Sequence, residues 1–245
     1  KKGGKTKKFF AKFGVIDEKI LTNFQKHAFE YDIDIVKLNS PNSLVIMECE
    51  NEKEQNIFKK LFKFPILQSE EWNLKGSREF DMTDDANLFH TGEIGPPLYE
   101  GKMINMFTHN YANPRYWVDE EESTNKLKKT EFNKIKKLLK LKNPQITPRI
   151  DAHKYRLVWR KITNSTNERT LISTILYPNT FLGNSLYYIH PITFNGKNYI
   201  QPISYEETFY LCGMFNSFTV DFILRHKIGT NLTVFHLMEL PIPRF

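Results

Sequence analysis

The sequence predicts an α+β fold: a mixed or antiparallel sheet in its later part, flanked by helices, with a smaller helical connector at the N-terminal side. Three observations predict it. Two lysine-rich segments repeat apolar residues every three or four positions, as amphipathic helices do. Three runs rich in β-branched and aromatic residues, at 155–163, 170–177 and 185–192, are separated by turn-forming residues and predict a sheet. A helix-capping motif then opens a last helical segment.

The N-terminal part is predicted to contain a linker and three short elements. Residues 1–12 are rich in lysine and are expected to form a solvated linker. Apolar residues predict a short helix over 17–29. The apolar run at 44–49, which follows the turn-forming residues 39–43, predicts a strand. Residues 52–64 predict an amphipathic helix that a following proline ends.

The remaining elements follow from periodicity and capping. Residues 98–118 mix aromatic and polar side chains and predict loop and strand. Residues 125–141 predict a helix with one apolar stripe and many lysines around it. The sequence at 204–207 is a capping box, and the helix that it opens is expected to be interrupted near Asn216 and Ser217. An exit turn is predicted at 237–243.

Composition limits the classes of protein that the sequence fits. Hydrophobic residues make up 40% of the 245 positions, yet no apolar run has the length needed to cross a bilayer, so no membrane partner is expected. Cys49 and Cys212 are the two cysteines, too few for a disulfide framework or a zinc site, and this favours a cytoplasmic protein. The seven histidines show no metal-ligand spacing, so no metal is predicted.

The formal charge of +7 favours a polyanionic partner. The sequence begins with Lys1 rather than Met and has no signal pattern, so we expect it to be part of a longer polypeptide.

Motifs for catalysis are mostly missing from the sequence. An amino-methyltransferase needs a glycine-rich cofactor turn and a tetrapeptide such as Asn-Pro-Pro-Tyr. The sequence 113–116 comes close to that tetrapeptide, but Arg115 replaces the second proline. We therefore predict no methylation site and no cofactor in this chain. A weaker alternative is a small metal-dependent nuclease that uses Glu100 and Lys102, with Asp81, Asp84 and Asp85 as metal ligands.

Four stretches resemble, in order and approximate spacing, the region that follows the methyltransferase domain in type IIG restriction-modification enzymes. That region is a TaqI-like C-terminal specificity domain. The stretches are 39–89 with Trp72 and the acidic segment Glu79–Asp85, 97–109 with Pro97–Ile104, 159–170 with Trp159–Thr163, and 215–243 with Leu240–Pro243.

The resemblance implies both a domain organisation and a function. Residues 1–93 would be the connector from a methyltransferase domain, and residues 94–245 the DNA target-recognition domain. The family methylates adenine at N6 within a defined sequence of double-stranded DNA. S-adenosylmethionine would bind to an upstream catalytic domain that this chain does not include.

A recognition module needs cations that contact phosphates and polar side chains that contact base edges. The candidates for phosphate contact on the predicted lysine-rich helix are Lys128, Lys129, Lys136 and Lys137. The candidates that would set the register of the DNA are Lys102, Arg160, Arg169, Arg225 and Lys227. The candidates for base contact are His109, Asn110 and Arg115.

Each group of candidates has a structural alternative. The helix lysines equally fit a solvated face, or a surface for an acidic protein partner in an interaction domain. Arg160 and Arg169 are alternatively expected to pair with Glu168 or Asp221 and hold the sheet and a helix together. Aromatic residues such as Tyr111 and Tyr116 would contact distorted DNA or pack in the core.

Overall fold

The computed structural model describes residues 6–41 and 44–245. Its helices are α1 (Glu18–Thr22), α2 (Phe24–His27), α3 (Ile33–Asn39), α4 (Glu52–Leu61), α5 (Glu120–Leu139), α6 (Tyr205–Phe215), α7 (Phe218–Arg225) and α8 (Val234–Met238). Its strands are β1 (Lys8–Ala11), β2 (Phe29–Asp32), β3 (Gly76–Ser77), β4 (Phe89–His90), β5 (Leu98–Tyr99), β6 (Trp117–Val118), β7 (Arg156–Arg160), β8 (Ser173–Leu176), β9 (Phe181–Leu182), β10 (Leu186–Ile189), β11 (Thr193–Phe194) and β12 (Tyr199–Ile200).

The predicted α+β fold is confirmed, and its centre is a four-stranded sheet. The strand order is β3-β10-β7-β8, and every neighbouring pair is antiparallel. Leu186 pairs with Arg160, and Arg156 pairs with Leu176. The three runs predicted as strands therefore form β7, β8 and β10. A separate parallel pair, β5 with β9, joins residues 98–99 to 181–182.

The largest hydrophobic core combines residues from both ends of the chain. Phe58 of α4 and the buried Trp72 pack in the same cluster as Trp159 of β7 and Phe215 of α6. The indole Nε1 of Trp72 donates a hydrogen bond to the carbonyl of Ile242 at 2.9 Å. The core therefore contains residues from both sides of the boundary predicted between residues 93 and 94. The division into a connector and a recognition domain stays a prediction about function.

Helix α5 is the longest helix in the described ranges, and its ends have clear causes. It begins five residues earlier than predicted because the Asp119 side chain accepts the N–H of Glu122 and three glutamates occupy the first turn. It ends where Lys140 adopts a left-handed conformation. On its inward side the helix buries Ile135, and Leu127 packs against a second, partly aromatic cluster that contains Phe80 and Phe181.

The break between α6 and α7 lies where the sequence predicted it. Ser204 and Glu207 form the capping box that opens α6. The side chain of Ser217 then accepts the N–H of Val220 and opens α7. Between them, the Asn216 amide hydrogen-bonds both backbone groups of Ser173 on the outer edge of β8, accepting at 3.2 Å and donating at 3.0 Å. The residue that separates α6 from α7 therefore also attaches these helices to the sheet.

Several sequence predictions for the N-terminal part are corrected. The predicted linker over 1–12 is a strand at Lys8–Ala11, because these residues pair with β2, and residues 1–5 lie outside the described part. The strand predicted over 44–49 does not form, since Leu44 has a φ of +52° and no ladder includes this run. Residues 42 and 43 of the predicted turn are not described.

Other boundaries differ by a few residues. The helix predicted over 17–29 is divided into α1 and α2, and its last residue belongs to β2. The helix predicted over 52–64 is confirmed as α4 but ends at Leu61. The exit turn predicted from residue 237 is preceded by α8, which extends to Met238. No helix of the described ranges combines the length and apolar character of a membrane-spanning segment.

We predict that replacing Trp72 with alanine lowers the free energy of unfolding by about 3–5 kcal/mol, because the fully buried indole and its hydrogen bond are both lost. Urea unfolding followed by circular dichroism measures this. Ile94→Ala is the matched control, since Ile94 is 75% exposed. A shared core further predicts one cooperative transition. Two transitions, of which Trp72→Ala shifts one alone, would contradict it.

Candidate nucleic-acid interface

The exposed side of α5 carries five lysines that form one basic surface, which we call the lysine face: Lys128, Lys129, Lys136, Lys137 and Lys140. With 3.6 residues per turn, Lys129 and Lys136 lie almost in line along the helix and Lys140 follows at its C-cap, whereas Lys128 and Lys137 lie on opposite sides of that row. Four of the five are exposed, and Lys136 is half-buried against the ring of Phe132 at 5.9 Å. The helix presents its apolar side to the protein, so its cations are directed outward.

The ion pairs of α5 involve lysines outside the lysine face. Elsewhere on α5, Lys126 pairs with Asp85 at 2.6 Å, and Lys134 lies 3.8 Å from Glu131. Within residues 6–41 and 44–245, no comparable ion pair involves any of the five lysines of the face. Unpaired cations that share one face attract a polyanion more strongly than cations already paired with acids.

A second basic group lies in the loop from Glu100 to Tyr116. Glu100 is largely buried and pairs with Arg115 at 3.1 Å and with Lys102 at 3.5 Å. Arg115 also lies over the ring of Tyr116, with 4.5 Å between the guanidinium carbon and the ring centroid. The structure thus brings two predicted site residues, Lys102 and Arg115, to one carboxylate.

Arg160 connects this loop to the central sheet. Its Nε donates to the carbonyl of Ile104 at 3.1 Å, and its guanidinium lies 6.0 Å from the centroid of the exposed Tyr111 ring. Partial burial lowers the pKa of Arg160. The pairing with Glu168 or Asp221 that was considered for Arg160 is not observed, because a backbone carbonyl takes that place.

The two remaining base-contact candidates occupy the same loop. Asn110 is exposed. The ring of His109 is half-buried and packs edge-on against Tyr177 at 5.5 Å. Three base-contact candidates and two register candidates therefore lie in or against one loop: His109, Asn110, Arg115, Lys102 and Arg160.

Arg169 and Arg225 belong to a structural network. Asp221 accepts a hydrogen bond from Arg225 Nε at 2.8 Å and lies 3.8 Å from Arg169. The other nitrogens of Arg225 donate to the backbone carbonyls of Ser165, Asn167 and Glu168. Both side chains thus connect α7 to the 165–169 turn, as the structural alternative for Arg169 expected.

Lys227 is a correction to the predicted site. Its side chain is completely buried, and its ammonium forms an ion pair with Glu239 at 2.5 Å. Burial lowers the pKa of Lys227. Because no solvent reaches the ammonium, it lies out of reach of a phosphate on the surface.

Three carboxylates of the nuclease alternative are engaged in other contacts. Glu100 is occupied by two cations, and Asp85 is paired with Lys126. Asp81 accepts the N–H groups of Thr83 and Asp84, which lowers its pKa. Within the described ranges no three acidic, cysteine or histidine side chains are grouped as metal ligands.

Cys49 and Cys212 are buried and free, and burial raises the pKa of the Cys212 thiol to about 11.

We predict that Lys227→Met lowers the free energy of unfolding by about 3–5 kcal/mol, because Glu239 would keep a buried charge without its cation. The double variant with Glu239→Leu should recover most of that loss, and Lys137→Met should cost almost nothing. Urea unfolding at neutral pH measures all three. A stable Lys227→Met protein with weakened DNA binding would overturn the structural assignment of this lysine.

The comparisons with known proteins do not identify a family. Neither a protein-family model nor a curated protein sequence matches the chain. The resemblance to a TaqI-like specificity domain therefore rests on the sequence motifs, and a role in DNA recognition is a proposal.

Proposed function

We propose that this chain is the target-recognition part of an adenine-N6 DNA methyltransferase of the restriction-modification type. The observation that carries the proposal is the lysine face of α5, a group of outward cations that have no ion pair with a carboxylate in the described part of the chain. From Lys128 to Lys140 the helix rises about 18 Å, and each strand of duplex DNA carries a phosphate about every 3.4 Å. Several phosphates of one backbone therefore fit along the row of Lys129, Lys136 and Lys140, with Lys128 and Lys137 on its two sides.

Base recognition is assigned to the loop that contains Lys102, His109, Asn110 and Arg115. Arginine donates two hydrogen bonds to guanine, and asparagine forms two with adenine, so this loop carries the side chains that discriminate bases best. Glu100 holds Arg115 in position through its ion pair. In the proposal, Arg160 fixes the start of the same loop through the Ile104 carbonyl.

Catalysis is assigned to another part of a longer, cytoplasmic protein. S-adenosylmethionine would bind there, and the present chain would hold the duplex while the target adenine leaves the helix. The absence of a glycine-rich cofactor turn from the sequence agrees with this division of labour. The connector over residues 1–93 would face that upstream domain.

The lysine face predicts strongly salt-dependent binding of duplex DNA. Replacing Lys128, Lys129, Lys136 and Lys137 with glutamine should weaken binding at least tenfold at about 100 mM salt. It should also reduce the slope of log K against log salt by up to about 3.6, since each phosphate contact contributes about 0.9. Fluorescence anisotropy with the purified chain and a random duplex library measures both quantities.

A second quadruple variant controls for net charge. Lys53, Lys60, Lys63 and Lys197 are exposed lysines elsewhere on the protein, and changing them to glutamine removes the same charge. Equal loss of binding in both variants would mean that only the total charge matters. Absence of DNA binding in the unmodified chain, together with capture of an acidic protein by the lysine face, would support the interaction-domain alternative.

The base-recognition loop predicts a separable effect on specificity. Arg115→Ala should lose about 1–3 kcal/mol of discrimination at one base pair of the preferred site while changing the salt slope little. Selection of preferred duplexes by the wild-type and variant chains measures this. An unchanged preference in Arg115→Ala would exclude this side chain from base contact.

A further inference from the structure

A cavity of about 250 Å³ lies on the side of α5 that faces the protein. Its walls come from α5, from the residues that flank β10 and from the β11–β12 hairpin. Ile135 and Leu138 of α5 form one apolar wall, and Phe194 and Tyr199 form an aromatic wall. The volume is slightly below the roughly 300 Å³ at which pockets for drug-sized ligands begin, so it suits a ligand with one compact ring system.

The carboxylate of Asp151 lines this cavity and is only half satisfied. Its Oδ2 accepts a hydrogen bond from the Tyr188 hydroxyl at 3.1 Å and one from His190 Nδ1 at 2.5 Å. Its Oδ1 is buried and has no donor among the described residues. The side chain is 9% exposed, and leaving a buried acceptor without a partner costs free energy. Because this oxygen has almost no contact with solvent, a ligand N–H group would remove that cost once the carboxylate turns towards the cavity.

The mouth of the cavity is basic. Lys75, Lys134 and Arg149 line it together with one further carboxylate, Glu131. Glu131 is shared between Lys134, at 3.8 Å, and the Tyr199 hydroxyl, at 3.3 Å. Three cations thus face two carboxylates, Glu131 and Asp151, and Lys75 and Arg149 have no ion-pair partner in the described ranges. This leaves positive charge for an anionic group at the entrance.

We propose that this cavity binds a nucleoside monophosphate unit whose base carries an amino group, such as adenine. The ring would lie between the aliphatic and aromatic walls, the amino group would donate to Asp151, and the phosphate would lie near Lys75 and Arg149. The unit has two possible sources, a free mononucleotide or a nucleotide turned out of bound DNA. The residues of the cavity would bind this unit whether or not the chain binds DNA.

Isothermal titration calorimetry with the whole chain tests the proposal. Adenosine 5′-monophosphate should bind at least tenfold more tightly than inosine 5′-monophosphate, which replaces the amino group with an oxygen. It should also bind at least tenfold more tightly than adenosine or inorganic phosphate alone. Arg149→Gln should weaken binding of adenosine monophosphate about fivefold or more, whereas Lys129→Gln, on the opposite side of α5, should leave it unchanged.

The ratio of the affinities for two nucleotides does not depend on the fraction of the protein that is folded, so a variant that alters this ratio is a further test. Asp151→Asn introduces an amide donor, so the preference for adenosine over inosine monophosphate should fall from at least tenfold to below threefold. Three results would overturn the proposal: no binding at millimolar adenosine monophosphate, equal binding of the two nucleotides by the wild-type chain, or no effect of Arg149→Gln.

Competition with duplex DNA distinguishes the two sources of the nucleotide. Displacement of adenosine monophosphate by a duplex with a destabilised adenine, but not by a fully paired one, would assign the cavity to a nucleotide turned out of DNA. Simultaneous binding of duplex and nucleotide would assign it to a free ligand. If no duplex binds at all, the proposed function is wrong, and the nucleotide titrations still show whether the cavity binds a nucleotide.

Discussion

The buried ion pair between Arg156 and Glu79 joins segments that lie far apart in the sequence. Both side chains are almost inaccessible to solvent. Arg156, on β7, also donates to the backbone and hydroxyl oxygens of Thr180, and Glu79 accepts the N–H of Leu182 on β9 at 2.7 Å. Burial raises the pKa of Glu79, and the Arg156 charge opposes that rise. Because an unpaired charge here costs several kcal/mol, all three segments have to be in place together. Strand β9 in turn pairs with β5, so the ion pair also fixes the start of the loop that holds Lys102 and Arg115.

Basic residues in this protein therefore divide into two groups with different physical environments. Arg156, Arg225 and Lys227 are enclosed by acceptors and hold segments together. The lysine face of α5 points away from the core, and its lysines form no ion pair within residues 6–41 and 44–245. A net charge summed over the sequence cannot separate these groups. Cations of the first kind are withdrawn from a polyanion, so the effective positive surface is smaller than the composition indicates.

The sequence predicts those parts of this structure that depend on residues close together in the chain. The helix at α5, the three main strands and the α6 capping box depend on periodicity and on residues three or four positions apart, which a sequence displays directly. The strand at β1 and the missing strand at 44–49 depend on pairing with β2 and on the left-handed Leu44, and neither leaves a local pattern. The same limit applies to the site. Lysines on a helix are visible as a pattern, whereas the burial of Lys227 beside Glu239 and the approach of Asp151 to His190 bring together residues 12 and 39 positions apart.

Asn216 has a consequence for the behaviour of the protein in solution. Strand β8 is the last strand of the sheet, and the outer edge of such a strand is open to pairing with another molecule. The Asn216 amide occupies both backbone groups of Ser173, and the Phe107 N–H also donates to the Ser173 carbonyl at 3.1 Å. One side chain thus replaces part of a fifth strand. By occupying this end of the edge, Asn216 disfavours the pairing of β8 with a strand of another copy.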